Sequence, residues 1–186
     1  RDWSSDVCSS DLTAPLIFAV IVVSASTFLA GYNSGVMNPP ESVVFPGHSI
    51  TSWAFAVSAF AAGGPFGSAI AGKLADKRGR RGAMLINIWI FLFGGLLQSV
   101  AQDMLTIIVS RLIIGFGSGC CTVLVPIYLG EMAPPSLRGT FGTLTQFAQV
   151  IGILFSSVIA FPFATVNGWR VMFAFTVVVA VFQVKC

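Results

Sequence analysis

The charges of this chain fall in a few short clusters, and residues 13–40, 42–72, 82–102, 112–130, 139–169 and 171–184 contain no Lys, Arg, Asp or Glu. A helix needs about 20 mainly apolar residues to cross a hydrocarbon core of about 30 Å. Five of the six stretches are long enough, and the sixth becomes so when residues 167–169 are added. Charged residues make up only 9% of the chain and apolar ones 55%. Too few charges remain to cover a water-exposed surface, so a soluble globule is excluded. The expectation is an all-α membrane protein of six transmembrane helices, with the lipid bilayer as its solvent.

Residues 1–12 stand apart. Arg1, Asp2, Asp6 and Asp11 lie there, the segment has no apolar period, and it lacks the basic start and cleavage site of a secretory signal. It reads as a polar tail, either native and cytoplasmic or foreign to the apolar run it adjoins. The bundle is then residues 13–186.

The basic residues fix an orientation. With the N-terminus inside, Arg1, Lys73, Lys77, Arg78, Arg80, Arg81, Arg138 and Lys185 fall on the cytoplasmic side, and Arg111 and Arg170 towards the outside. This bias follows the positive-inside rule, and it explains the basic cluster better than nucleic-acid binding does. The connection holding Pro39, Pro40, Glu41, Pro46, Gly47 and His48 is then an external, turn-rich loop.

Small residues recur at four-residue spacing, as Gly63, Gly67 and Ala71, as Gly64, Ser68 and Gly72, and as Gly115 with Gly119. Such rows let helix backbones approach closely. Cys8, Cys120, Cys121 and Cys186 have no metal or redox spacing, and the adjacent pair reads as small packing residues. No nucleophile and base pair or phosphate-cradling glycine loop occurs, so the chain carries no visible catalytic machinery, metal site or cofactor site.

What remains is uncharged polarity at membrane depth: Asn33, Gln146 and Gln149. Gln146 lies about 12 Å along a helix from Arg138. Gln146, Gln149, Val150 and Ile153 share the i, i+3, i+4, i+7 spacing and form one stripe. An amide both donates and accepts, which suits the hydroxyls of a neutral polyol. The alternative is a bond to a neighbouring helix, worth about 1 kcal/mol. Arg111 sits near 12 Å below the outer interface, where a charge costs about 2.5 to 3.5 kcal/mol, so it needs a partner or must snorkel.

The cluster Gly72-Lys73-Leu74-Ala75-Asp76-Lys77-Arg78-Gly79-Arg80-Arg81 resembles the signature loop between the second and third helices of the major facilitator superfamily. Arg111, Gly115, Gly119, the run Pro126 to Glu131 and the run Pro134 to Gly139 look like the sugar porters within it. Gly31-Tyr32-Asn33-Ser34-Gly35, Gly142-Thr143-Leu144-Thr145-Gln146 and Gly168-Trp169-Arg170 are similar to facilitative glucose transporters.

The resemblance implies the N-terminal half of a major facilitator fold, with a second six-helix half absent from residues 1–186. It implies facilitated diffusion of a hexose such as glucose by alternating access. Gln146 matches a sugar-binding residue, and Gln149, Val150, Ile153 and Asn33 are the further candidates. Gln149 departs from the family's usual aliphatic residue. Asp76, Arg80, Arg81, Glu131 and Arg138 resemble a cytoplasmic gate of ion pairs, and Arg111 a structural or gating arginine. Proton-coupled relatives carry Asp where this chain has Asn33, which does not titrate. A proton symporter and a carrier of another small polar solute remain the alternatives. The implied partners are a monosaccharide, the bilayer of a plasma membrane and the missing half, and no cofactor or nucleic acid.

Overall fold

The computed structural model describes residues 14–38, 44, 49–133, 137–163 and 168–185. They form five helices: α1 (Ala14–Gly35), α2 (Ile50–Ser99), α3 (Met104–Met132), α4 (Arg138–Phe163) and α5 (Trp169–Lys185). The tail 1–12 and most of the connection expected to be external, from Pro39 to His48, lie outside the described residues. Helices α1 to α4 are long and apolar enough to cross a membrane, and α5 is a shorter apolar helix over Trp169–Val184.

The sequence predicts two helices flanking a basic loop over residues 72–81, whereas helix runs on through that cluster. Lys73, Leu74, Ala75 and Lys77 favour helix and no proline interrupts them. The single departure is Gly79, at φ 75° and ψ 160°, a region that is nearly glycine-only. A straight helix of 50 residues would reach about 75 Å, more than twice the hydrocarbon thickness.

The chain instead reverses at Gly79, because both arms of α2 meet α3 at the same levels. Gly63 of the first arm lies against the Leu112 carbonyl, and Gly94 of the second against the Ile114 side chain. One turn on, Gly67 meets the Phe116 carbonyl while Asn87 Nδ2 donates to Cys121 Sγ at 2.9 Å.

Lipid tails are as apolar as leucine, so these helices associate through close packing and hydrogen bonds. Gly63 and Gly67 meet carbonyls of α3, and Gly115 and Gly119 meet the carbonyls of Phe60 and Gly64. The expected row of Gly63, Gly67 and Ala71 is therefore the α2 to α3 seam. Gly72, in the neighbouring row, faces open space.

Gly79→Ala is expected to cost about 1 to 3 kcal/mol for conformational reasons alone, since nothing lies within 4 Å of the added methyl group. Thermal unfolding of the full chain in detergent reads this as a lower midpoint. An unchanged midpoint would show that the reversal does not need the glycine conformation.

Candidate functional site

Helix α4 carries four of the five substrate-site candidates, and its packing against α1 determines where they point. The contact is made at backbone distance: Gly31 lies against the Gln149 carbonyl, Gly152 against the Phe28 carbonyl, and Gly35 against Ser156 Oγ. The buried face of α4 is therefore Phe141, Gly152, Ser156 and Ala160. At about 100° per residue, Gly152 lies about 120° and Ser156 about 80° around the helix from the Gln146 side chain. Gln146, Val150 and Ile153 are exposed, and Gln149 is half-buried on the edge next to α1. The structure thus brings the four together on one flank of α4, with the Gln149 backbone inside the α1 seam.

Phe155, on another face of α4, joins a ring cluster with Phe28 and Tyr32 of α1 and Phe175 of α5. Tyr32 Oη donates to the Met172 carbonyl at 2.7 Å. This cluster holds α1, α4 and α5 together behind the stripe.

Asn33 is buried at 1% exposure. Its Nδ2 donates to the Leu29 carbonyl at 2.9 Å, and its Oδ1 accepts from Thr176 Oγ1 at 3.2 Å. The amide lies inside the bundle, linking α1 to α5, rather than on the α4 stripe.

Arg111 does not snorkel. It is 1% exposed, and Nη1 donates to the Asn33 carbonyl at 2.6 Å. That carbonyl lies in the last turn of α1, where the helix leaves acceptors without internal partners. Cations are favoured there by the helix dipole. The guanidinium also lies 4.5 Å from the Phe60 ring centroid, a favourable cation–π distance. One arginine of α3 therefore contacts α1 and the first arm of α2.

At the other end, three of the gating candidates converge. Arg80 reaches Glu131 through Nε at 3.0 and 3.2 Å and through Nη2 at 2.9 Å. Its Nη1 reaches Asp76 at 2.9 Å and the Ala75 carbonyl at 3.2 Å. This ties the α2 reversal to the end of α3. Arg81 and Arg138 are exposed, and neither has a carboxylate within ion-pair distance among the described residues.

Sequence reasoning passed over a second polar set: Asn87, Gln98 and Gln183, each buried to 2% exposure or less. Gln183 Nε2 donates to the Val22 carbonyl at 2.9 Å and to Ser26 Oγ at 3.0 Å. The Cys121 thiol, besides accepting from Asn87, lies 3.7 Å from the Ser26 carbonyl. Uncharged polarity inside apolar runs, the signal that singled out Asn33 and Gln146, applies equally to these residues.

The family model described as "Sugar (and other) transporter" matches residues 18–186. The sheep solute carrier family 2, facilitated glucose transporter member 3 is 35% identical, over 94% of this chain and 40% of its own length. The human member 14 is 36% identical, over 92% of this chain and 37% of its own length. This chain thus spans about two fifths of the curated relatives it matches. A crystal structure of a D-xylose-proton symporter superposes with a TM-score of 0.79 at 24% identity, covering 91% of this chain and 47% of that one. An inward-open xylose transporter from E. coli gives 0.77 at 23%, with the same coverage.

Gly152→Ala places a methyl group against the Phe28 carbonyl and the Tyr32 amide, and such overpacking costs about 1 to 3 kcal/mol. Gly142→Ala meets nothing within 4 Å and should be neutral or stabilising, since alanine is the better helix former. The unfolding midpoint in detergent should fall for the first variant and not for the second.

Proposed function

Because the chain belongs to the sugar (and other) transporter family, we propose that it forms the N-terminal half of a hexose carrier that moves glucose or a close analogue down its gradient. Counted on either side of Gly79, α2 supplies two spans, which with α1, α3, α4 and α5 makes six. The distribution of basic residues supports a cytoplasmic N-terminus, and the host membrane in this reading is the plasma membrane. A second six-helix half completes the carrier and closes the site opposite α4.

The observation that carries this reading is the exposed flank of α4, with the Gln146 amide about 12 Å along the helix from Arg138 and Val150 and Ile153 beyond it. An unpaired amide is poorly placed against lipid. Against a hexose, the same amide both donates to and accepts from hydroxyls, while the aliphatic residues contact the ring's apolar face. Gln149, half-buried at the α1 edge, lies within the same stripe and adds a second amide at its border. Asn33 acts from behind, holding α1 against α5.

Alternating access needs two conformers of similar energy and contacts that favour one of them. The Asp76, Arg80 and Glu131 cluster supplies such contacts on the cytoplasmic side, and Arg81 and Arg138 extend it when the halves meet. Arg111 stays fixed as a brace for the end of α1. Coupling to protons requires a titrating side chain in the pathway. Asn33 is an amide, and α1, α4 and α5 carry no Asp, Glu or His between their ends. Uniport follows.

The test is uptake of labelled glucose into liposomes by the full-length carrier. Gln146→Ala should reduce uptake about tenfold or more, the effect expected when about 1.4 kcal/mol of sugar binding is lost. A protonophore should leave uptake unchanged. Normal uptake by Gln146→Ala would remove the site assignment, and collapse with the protonophore would favour the symporter.

A further inference from the structure

A cleft of about 510 Å³ opens among the start of α1, the second arm of α2, and the ends of α3 and α5. None of the α4 stripe residues lines it, so it is separate from the proposed sugar path. Its walls include Phe18, Met84 and Ile88, and Ser26 and Gln183 lie deeper in it. From Phe18 to Ser26 the wall extends about 12 Å along α1, enough for several methylene groups of an extended chain.

Two polar features mark the ends of the cleft. The first is Arg81, which borders the cleft and has no carboxylate within ion-pair distance among the described residues. Its neighbour Arg80 is occupied by Asp76 and Glu131, so the acids that neutralise one arginine leave the other available. The second is Gln183, 2% exposed, whose Nε2 is bonded twice while its Oε1 has no partner. That oxygen has almost no accessible surface, so Gln183 closes the inner end of the cleft.

We propose that this cleft binds an anionic phospholipid of the cytoplasmic leaflet. Arg81 holds the phosphate through paired N–H donors, the geometry in which guanidinium exceeds ammonium. The acyl chain lies along Phe18, Met84 and Ile88. Apolar walls and a cationic rim together match an amphiphile, whereas a free phosphate would leave the walls unused.

Native mass spectrometry of the full chain in detergent micelles containing equal phosphatidylglycerol and phosphatidylcholine tests this directly. Preferential retention of one phosphatidylglycerol is expected. Arg81→Gln should weaken it by about fivefold, the share of one basic residue near an anionic surface, while Arg78→Gln, on the other side of the Gly79 reversal, leaves it unchanged. Ile88→Trp, which fills the cleft, should also abolish retention, and excess glycerol phosphate should not displace the lipid.

Equal losses in the Arg81 and Arg78 variants would reduce the effect to general surface charge and overturn the proposal. Displacement by glycerol phosphate would assign the site to a soluble anion instead. Binding that appears only after residues 1–12 are removed would make the chain's own start the occupant.

Discussion

The arrangement depends on helices touching at their backbones. In a bilayer, burying one apolar side chain against another gains little over burying it in lipid, so association relies on dispersion contacts and interhelical hydrogen bonds. Glycine provides both at once by removing the side chain that would hold two backbones apart. Gly31 and Gly152 seat α4 on α1, while Gly63, Gly67, Gly115 and Gly119 seat α2 on α3. Those contacts set the rotation of each helix about its axis. For α4 the consequence is functional, because the rotation that buries Gly152 and Ser156 turns Gln146, Val150 and Ile153 outward together.

Polar groups act within that frame as local ties. Arg111 would be expensive in hydrocarbon, yet it meets the open end of α1 and the Phe60 ring, so one desolvated cation is used to complete a helix terminus. Asn33 presents its carbonyl to Arg111 and its amide to Thr176, which joins α1, α3 and α5 at a single residue. Arg80 does similar work at the opposite end, though exposed and therefore easier to break. A buried brace at one end and an exposed ion cluster at the other are consistent with the carrier proposed above.

How much of this was legible beforehand varies from residue to residue. Apolar stretches located α1 and α4 closely, since those helices begin and end near charges or turn residues. The charge-free stretch 112–130 begins after Arg111, whereas α3 starts at Met104 and carries that arginine inside. A charge marks a membrane boundary only when it lacks an internal partner, and the partner here is a backbone carbonyl that no side-chain pattern reveals. The turn at residues 72–81 shrank to Gly79 for a comparable reason, as one φ angle can reverse a helix that composition would extend. Periodicity puts the four α4 residues on one flank by helical spacing alone. It could not distinguish Asn33, whose amide is bonded within the bundle, from Gln146, whose side chain is exposed, because that difference arises from tertiary contact.

In the proposed carrier the exposed flank of α4 faces water and sugar rather than lipid. Single cysteines at Gln146, Val150 and Ile153, with Ile151 and Val158 on the far exposed face as references, can be challenged with a membrane-impermeant thiol reagent in the full-length carrier lacking its native cysteines. The account requires rapid labelling at the first three positions, slowed by glucose, and little at the references. Uniform labelling that glucose does not alter, or protection of the whole stripe from aqueous reagent, would contradict it.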